Sequence, residues 1–342
     1  MILPRKLRIW WRAFRYHFTP ASIFPVCIGA VVSWSRENLF SLWYFFLLLS
    51  VIVLNHIALN MTDDYFDYRH AVDQQKPDEK NPYAGGSGTL TEGLIAPKNM
   101  FTVFVLLYII TIIIGLFLTF ERGLYILIFW TIGIFSSIFY TAPPIKFSHH
   151  GFGELGLLLN FGPVLGMVSF FVQAQTISLE AFVATLPCGI MLFSMIVINE
   201  IPDITDDSKA GKLTLVARFG VRTGIMIYIS SWVATFVSIS IGILFSITPW
   251  YHIITFLGLP LALQSIVLVK KHATNPQQLP HANLAMIRAH SIICMCIMGS
   301  YIMYGLLHNR PLTDIIGYIV LFLVVYLPAA FSIFKKTQTE PI

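Results

Sequence analysis

The chain has 342 residues and a formal net charge of +5, with 11% charged and 56% hydrophobic residues. Soluble proteins carry about 25% charged residues, so this chain lacks the polarity to cover a water-facing globule. Its mean hydropathy of +0.74 places it among integral membrane proteins and excludes disordered, collagen-like and disulfide-scaffold classes.

Residues 1–18 mix Arg5, Lys6, Arg8, Arg12 and Arg15 with Trp10, Trp11, Phe14 and Phe18. That interleaving suits an amphipathic arm lying in the headgroup layer. Ten apolar stretches follow, at 20–35, 39–59, 99–120, 123–140, 155–173, 181–198, 223–247, 251–269, 289–307 and 315–334. Most approach the ~20 residues that a helix needs to cross a bilayer. In lipid a helix satisfies every backbone group within its own segment. The first stretch is short, and the last is joined to its neighbour only by His308-Asn309-Arg310-Pro311, so the pattern fits nine or ten spans. The expected fold is therefore an all-α integral membrane protein. Its arm ends near residue 18, its main body runs over 19–307, and 308–342 adds an extra helix and tail. The four cysteines lie in apolar stretches and read as buried, inert thiols.

With a cytoplasmic N-terminus, nineteen of the 22 Lys and Arg residues fall on the cytoplasmic side, leaving only Arg36, Arg122 and Arg310 outside. This positive-inside bias sets the expected orientation in a plasma membrane. It also accounts for the basic excess without a nucleic-acid partner, and nothing in the chain names a protein partner.

The acidic residues are more informative. Asp63, Asp64, Asp67, Asp73, Asp78, Glu79 and Glu92 follow the second stretch, and Glu200, Asp203, Asp206 and Asp207 follow the sixth. Charge inside hydrocarbon costs several kcal/mol, so carboxylates gathered at helix mouths point to function. The two segments echo each other as Asn60-x-x-x-Asp64-x-x-Asp67 and Asn199-x-x-x-Asp203-x-x-x-Asp207. On continuing helices these spacings put each set on one face. Both helices run in the same direction across the membrane, which suggests two four-helix halves with one motif each. Facing carboxylate clusters repel unless cations lie between them. Oxygen donors of high negative charge suit Mg²⁺ held together with substrate phosphates, so a diphosphate substrate at the membrane mouth is expected. Lys212, Lys146 and either Arg69 or Lys76 are the cations available to hold it. Gly85-Gly86-Ser87-Gly88 reads as a substrate-covering loop or a turn.

These motifs resemble the UbiA-type intramembrane aromatic prenyltransferases. The match runs from about residue 18 to 307 and includes Tyr140-Thr-Ala-Pro-Pro, Gly151-Phe-Gly-Glu154 and Asn199-Glu-Ile-Pro-Asp203-x-x-x-Asp207-x-x-x-Gly211-Lys212-x-Thr214. Among its members, the chain looks most like the 1,4-dihydroxy-2-naphthoate branch of menaquinone synthesis. The resemblance implies a nine-helix bundle around a cavity open sideways to lipid. It also implies Mg²⁺-dependent transfer of a polyprenyl group from its diphosphate to an aromatic acceptor. Carried onto this chain, Asp64, Asp67, Asp203 and Asp207 hold the metal, with Asn60 and Asn199 supporting. Asp73 then ligates metal, engages the acceptor or serves as base, and Lys146 and Lys212 steady the diphosphate. Tyr140, with Tyr65, Phe66 and Phe147, offers an aromatic face to an allylic cation. Other acceptors of the same fold, such as 4-hydroxybenzoate, homogentisate or a lipid alcohol, stay open. The reading outside enzymes is a secondary transporter, for which repeated halves are usual.

Overall fold

The computed structural model describes residues 4–72, 81, 83, 85–273, 275 and 278–339, with side chains as far as Ile333. Asp73 and Lys76 lie outside the described residues. Twelve α-helices are described: α1 (Arg5–Phe14), α2 (Pro20–Val32), α3 (Leu42–Arg69), α4 (Pro97–Arg122), α5 (Tyr125–Phe139), α6 (Gly153–Leu159), α7 (Leu165–Ala174), α8 (Leu179–Lys209), α9 (Leu215–Leu244), α10 (Leu259–His272), α11 (Leu279–Leu307) and α12 (Leu312–Thr339). A turn of π-helix over Asn160–Val164 joins α6 to α7 without a break in direction, and a 3₁₀ segment over Trp250–Gly258 leads into α10.

Eight of the described helical segments are long and apolar enough to cross a bilayer. A ninth span arises if α1 and α2, with their short extensions, count as one segment bent by 52° at Thr19. The fourth apolar stretch is the short member, because α5 has only 15 residues and reaches about 22 Å at 1.5 Å per residue. Each of the ten apolar stretches thus falls on helix. The ninth differs in extent, since α11 begins ten residues earlier, at Leu279. Its first turns carry Asn283, which is buried, and Arg288, which interrupt the apolar run without interrupting the helix.

The outward faces are apolar, as lipid contact requires: Phe120 on α4 is 87% exposed and Leu244 on α9 is 79% exposed. Hydroxyls inside the bundle fold back on their own helices. Thr62 donates to the Ala58 carbonyl and Thr185 to that of Ala181, both at 2.7 Å. This satisfies them where water is absent.

The two long hairpins, α3 with α4 and α8 with α9, occupy corresponding places in the two halves. α2 packs on α7 and α8, and α11 packs on α2 and α8, which closes the ring. Small residues permit the tightest crossing. A Cβ on Gly29 of α2 would overlap the Gly166 carbonyl of α7, and one on Gly166 would overlap Thr185 of α8. Ser169 Oγ donates to the Val26 carbonyl at 2.6 Å across the same crossing. Close backbone approach of this kind is a main source of cohesion between helices in lipid.

α12 lies against the bundle as an addition to the ring. Tyr318 donates to the Cys27 carbonyl at 3.0 Å, and Tyr16 donates to the Val325 carbonyl at 2.9 Å.

Gly29→Val should force α2 from α7 and cost about 1–3 kcal/mol, as overpacking does. Thermal unfolding in detergent should show a lowered midpoint, whereas Gly133→Val, where an added Cβ meets nothing within 4 Å, should leave it unchanged.

Candidate active site

Helix length places the acidic residues. From Leu42 to Asn60 and from Leu179 to Asn199, α3 and α8 each climb roughly 30 Å, the thickness of the hydrocarbon core. The last turns of both helices therefore emerge at one membrane face with their carboxylates. α3 continues unbroken to Arg69 and α8 to Lys209, despite Pro187 and Pro202 within it.

At this mouth, Asp64 and Asp67 of α3 are buried, as is Asp207 of α8, while Asp203 is half-buried. Arg15 reaches Asp63 at 3.1 Å and Asp64 at 3.3 Å. The Ser87 N–H donates to both oxygens of Asp64, at 3.1 and 3.2 Å. Lys212 pairs with Asp67 at 3.0 Å. Asn60 donates to the Phe14 carbonyl at 3.2 Å, and Asn199 accepts from Asn283 at 2.6 Å. Asn283 accepts in turn from Asn81 at 3.1 Å, so the loop after α3 is tied through α11 to α8. Asn60, Asp63, Tyr140 and Asn199 line one cavity of about 130 Å³ at the mouth.

The loops are built to hold these groups. Gly88 has φ +73°, and a Cβ there would run into the ion pair of Arg12 with Glu92. Only glycine lets the 85–93 loop lie against α1 and present Ser87 to Asp64. Gly211, at φ +73°, turns the chain out of α8 and delivers Lys212. The Lys212 N–H donates to the Asp207 carbonyl at 2.8 Å, and that of Leu213 to the His149 carbonyl at 3.1 Å. The first turn of α9 is then capped three times. Glu154 accepts from Leu215 N at 2.7 Å, Glu200 from Val216 N at 3.2 Å, and Thr214 from Ala217 N at 3.2 Å. Carboxylates are favoured there because the orphan N–H groups carry partial positive charge.

The remaining cations go elsewhere. Lys146 lies 3.0 Å from His70 Nε2, and the His70 and His149 rings meet edge to face. Arg69 is exposed and lies over the Tyr65 ring at 6.0 Å. Among the described residues no three His, Cys, Asp or Glu side chains converge to hold a metal ion. The donor set nevertheless fits Mg²⁺. It is all oxygen, it is rich in charge, and Asp63 Oδ1 is buried without a hydrogen-bond partner. Mg²⁺ typically binds through one or two carboxylates plus phosphate oxygens and waters, not through an all-protein cage.

Of this constellation, spacing along the sequence misses Arg15, Ser87, Asn283 and the two histidines. Arg15 looks like one more topology-setting cation, and Asn283 carries a signal only as a lone amide in an apolar helix. Glu154 and Glu200 stand inside the motifs, but nothing in their spacing indicates that both cap α9.

The UbiA prenyltransferase family profile matches residues 22–287. The chain belongs to the UbiA prenyltransferase family. It is a membrane-embedded prenyltransferase, and α12 lies beyond the matched residues. It is 24% identical over 260 residues to the 1,4-dihydroxy-2-naphthoate octaprenyltransferase of Bacillus subtilis, covering 76% of this chain and 81% of that one. It is 23% identical to the 2-carboxy-1,4-naphthoquinone phytyltransferase of Synechocystis, covering 89% and 96% respectively. Among solved structures, a UbiA homologue from Archaeoglobus fulgidus bound to DMAPP and Mg²⁺ superposes with a TM-score of 0.60 at 14% identity, covering 86% of this chain and 98% of that one. A UbiA homologue from Aeropyrum pernix gives 0.58 at 16% identity, covering 81% and 97%.

Two expectations follow for the loops of this UbiA prenyltransferase. Removing a capping carboxylate, as in Glu154→Ala, should cost about 1–2 kcal/mol, read as a lower unfolding midpoint. The second concerns His149, whose pKa is pushed down to about 4 by burial first, then by Lys212, Lys146, His70 and His150. Unfolded, it titrates near 6.5. Between those values the unfolded chain binds more protons, so stability falls as the pH drops through that window. Unfolding midpoints measured from pH 7 to pH 4 should decline, and His149→Gln should flatten the decline.

Proposed function

We propose that this enzyme transfers a polyprenyl group from its diphosphate to 1,4-dihydroxy-2-naphthoate, with Mg²⁺ required, as a step of menaquinone biosynthesis. The observation that carries the reading is the doubled mouth. Two carboxylate-bearing helix ends, from α3 and α8, emerge at one depth above a cavity lined by Asn60, Asn199 and Tyr140. The naphthoate-directed names of the Bacillus subtilis and Synechocystis relatives support the acceptor. The DMAPP and Mg²⁺ bound to the Archaeoglobus fulgidus homologue support the donor class and the metal. The orientation proposed is mouth towards the cytoplasm, following the Lys and Arg bias.

Asp64, Asp67, Asp203 and Asp207 would hold Mg²⁺, with Asn60 and Asn199 beside them. Bound there, the metal would supply positive charge for the departing diphosphate. Lys212, fixed by the Gly211 turn and the α9 caps, adds a protein cation at the same place. Lys146 stands further along the mouth, on His70. The C–O bond of the donor breaks and its electron pair leaves with the diphosphate. The acceptor ring carbon that bears the carboxylate attacks the allylic carbon, and that carboxylate leaves as carbon dioxide, its bonding pair returning to the ring to restore aromaticity. Tyr140, at the end of α5, lines the wall between mouth and interior and offers its face to the allylic charge. The apolar surroundings exclude water, which protects the cation from hydrolysis.

The experiment uses purified protein in lipid with octaprenyl diphosphate, 1,4-dihydroxy-2-naphthoate and a panel of other aromatic acceptors, read by product mass. Prenylated, decarboxylated naphthoate should form with Mg²⁺ and vanish with a chelator. Asp64→Asn and Asp203→Asn should each lower turnover by roughly 10²-fold or more while remaining folded. Product with another acceptor alone would reassign the pathway, and undiminished turnover in both variants would remove the metal role.

A further inference from the structure

Below the mouth lies a second cavity of about 310 Å³, between α3, α5 and the α6–α7 segment. His56, Leu59, Tyr140, Leu157 and Phe161 line both cavities. His56 stands out among them, because an imidazole in an apolar wall needs a reason and the reaction proposed above leaves it without one. It precedes Asn60 by four residues on α3. It therefore shares the face of Asn60, one helical turn deeper in the bundle.

The ring is held on two sides. Ser22 Oγ of α2 lies 2.7 Å from Nδ1, and Phe161 meets the ring edge to face at 5.2 Å. Phe161 is brought there by the π-helical turn over Asn160–Val164, and single turns of this kind recur at functional sites. Among the described residues, Ser22 is the one hydrogen-bond partner of the ring. Nε2 of His149 and of His252 is sealed in protein without a partner, whereas that of His56 opens to the cavities it lines.

The contact with Ser22 also assigns the ring proton. Ser22 Oγ donates its single hydrogen to the Thr19 carbonyl at 3.1 Å. Both contacts are hydrogen bonds together only if Oγ accepts from the ring, so Nδ1 carries the proton and Nε2 keeps its lone pair. Such a nitrogen takes a hydroxyl and offers nothing to a carboxylate.

The depth of His56 then matches a particular ring. The two oxygens of a 1,4-dihydroxy aromatic ring stand about one helical pitch apart, ~5.4 Å. With one oxygen at the level of Asn60, the other falls at the level of His56. A hydroxyl carried below the mouth loses its water, which is costly unless a protein group replaces it.

We infer that His56 determines acceptor specificity: its Nε2 accepts the hydrogen bond of the inner hydroxyl of a 1,4-dihydroxy ring, and Ser22 holds the imidazole in the accepting tautomer. The inference rests on the acceptor class proposed above. The carboxylate and the other hydroxyl stay among the polar groups of the mouth. The attacking carbon is next to that outer hydroxyl, so His56 orients the ring without entering the bond making.

The test measures acceptor binding by calorimetry on the protein in lipid, with Mg²⁺ and an unreactive prenyl thiolodiphosphate. The unaltered protein should bind 1,4-dihydroxy-2-naphthoate about tenfold more tightly than 1-hydroxy-2-naphthoate, which lacks only the inner hydroxyl. His56→Phe should bring the two within about twofold by weakening the dihydroxy ligand alone. His56→Gln, whose amide oxygen replaces the Nε2 acceptor, should restore part of the preference. Equal weakening of both ligands in His56→Phe, with a lowered unfolding midpoint, would make the residue a tie between α2 and α3 and overturn the inference.

A ligand series on the unaltered protein covers variants that fold poorly. 4-Amino-1-hydroxy-2-naphthoate, which donates from the inner position, should keep the tight binding. 4-Fluoro-1-hydroxy-2-naphthoate, which cannot donate, should lose it, and equal affinity for the two would overturn the inference. Tight binding that depends on His56, without prenyl transfer to the ring, would keep this assignment and remove the function proposed above. Transfer to 1,4-dihydroxy-2-naphthoate with no such dependence would do the reverse.

Discussion

Carboxylates at the mouth of an apolar bundle must be met by positive charge, and the architecture of this enzyme follows from that constraint. Asp64 and Asp67 are buried where α3 leaves the membrane, a place where unpaired charge costs several kcal/mol. Arg15 comes from the N-terminal arm to meet Asp64, and Lys212 comes from the loop between α8 and α9 to meet Asp67. Each pair joins segments far apart in the chain. Together they fix the arm over α3 and the second half of the bundle against the first. Breaking such a buried pair by removing one partner costs about 3–5 kcal/mol, so the pairs organise the mouth as well as neutralising it.

A cation can serve this way only if its own backbone is held, and the loops are arranged accordingly. Lys212 follows a left-handed glycine and precedes a helix start whose first N–H groups are bonded to Glu154 and Glu200, from two other helices. The loop also leans on the His149 carbonyl. The Ser87 N–H on Asp64 depends in the same way on Gly88 fitting beneath Arg12. Acidic residues therefore play two roles at the mouth. Some meet the cations Arg15 and Lys212 and some hold helix ends, and the second group keeps the first in register.

How much of this was legible along the chain depends on the range of the interaction. Hydropathy and the Asn-x-x-x-Asp repeat are local patterns, and they mark the ten apolar stretches and the matching ends of α3 and α8. They do not indicate that α11 starts at Leu279, because a polar residue inside a buried helix reads as an interruption, and they do not show that α5 is only 15 residues long. Arg15 with Asp64 and Asn81 with Asn283 are separated by 49 and 202 residues, and no periodicity encodes such a pairing. The role of Glu154 was hidden for the same reason. Its carboxylate serves a backbone N–H 61 residues away, and backbone groups have no sequence signature. Asp73, singled out by its place after the first motif, falls outside the described residues.

The same separation of charge from hydrocarbon orders an amphipathic donor without any specific recognition of its tail. Moving a diphosphate into the apolar interior forfeits its hydration, whereas each buried CH₂ contributes about 0.8 kcal/mol. In the proposed reaction the charged end is therefore held at the mouth, among Lys212 and the carboxylate-bearing helix ends, and the tail is drawn inward beneath Tyr140. The reacting carbon, one bond from the diphosphate, then falls at the boundary between the two, where Asn60, Asn199 and Tyr140 line the cavity. An aromatic acceptor bearing a carboxylate or hydroxyls obeys the same rule, with polar groups towards the mouth and ring towards the interior. In the proposed reaction both substrates thus meet at the depth where the mouth brings charge and hydrocarbon together.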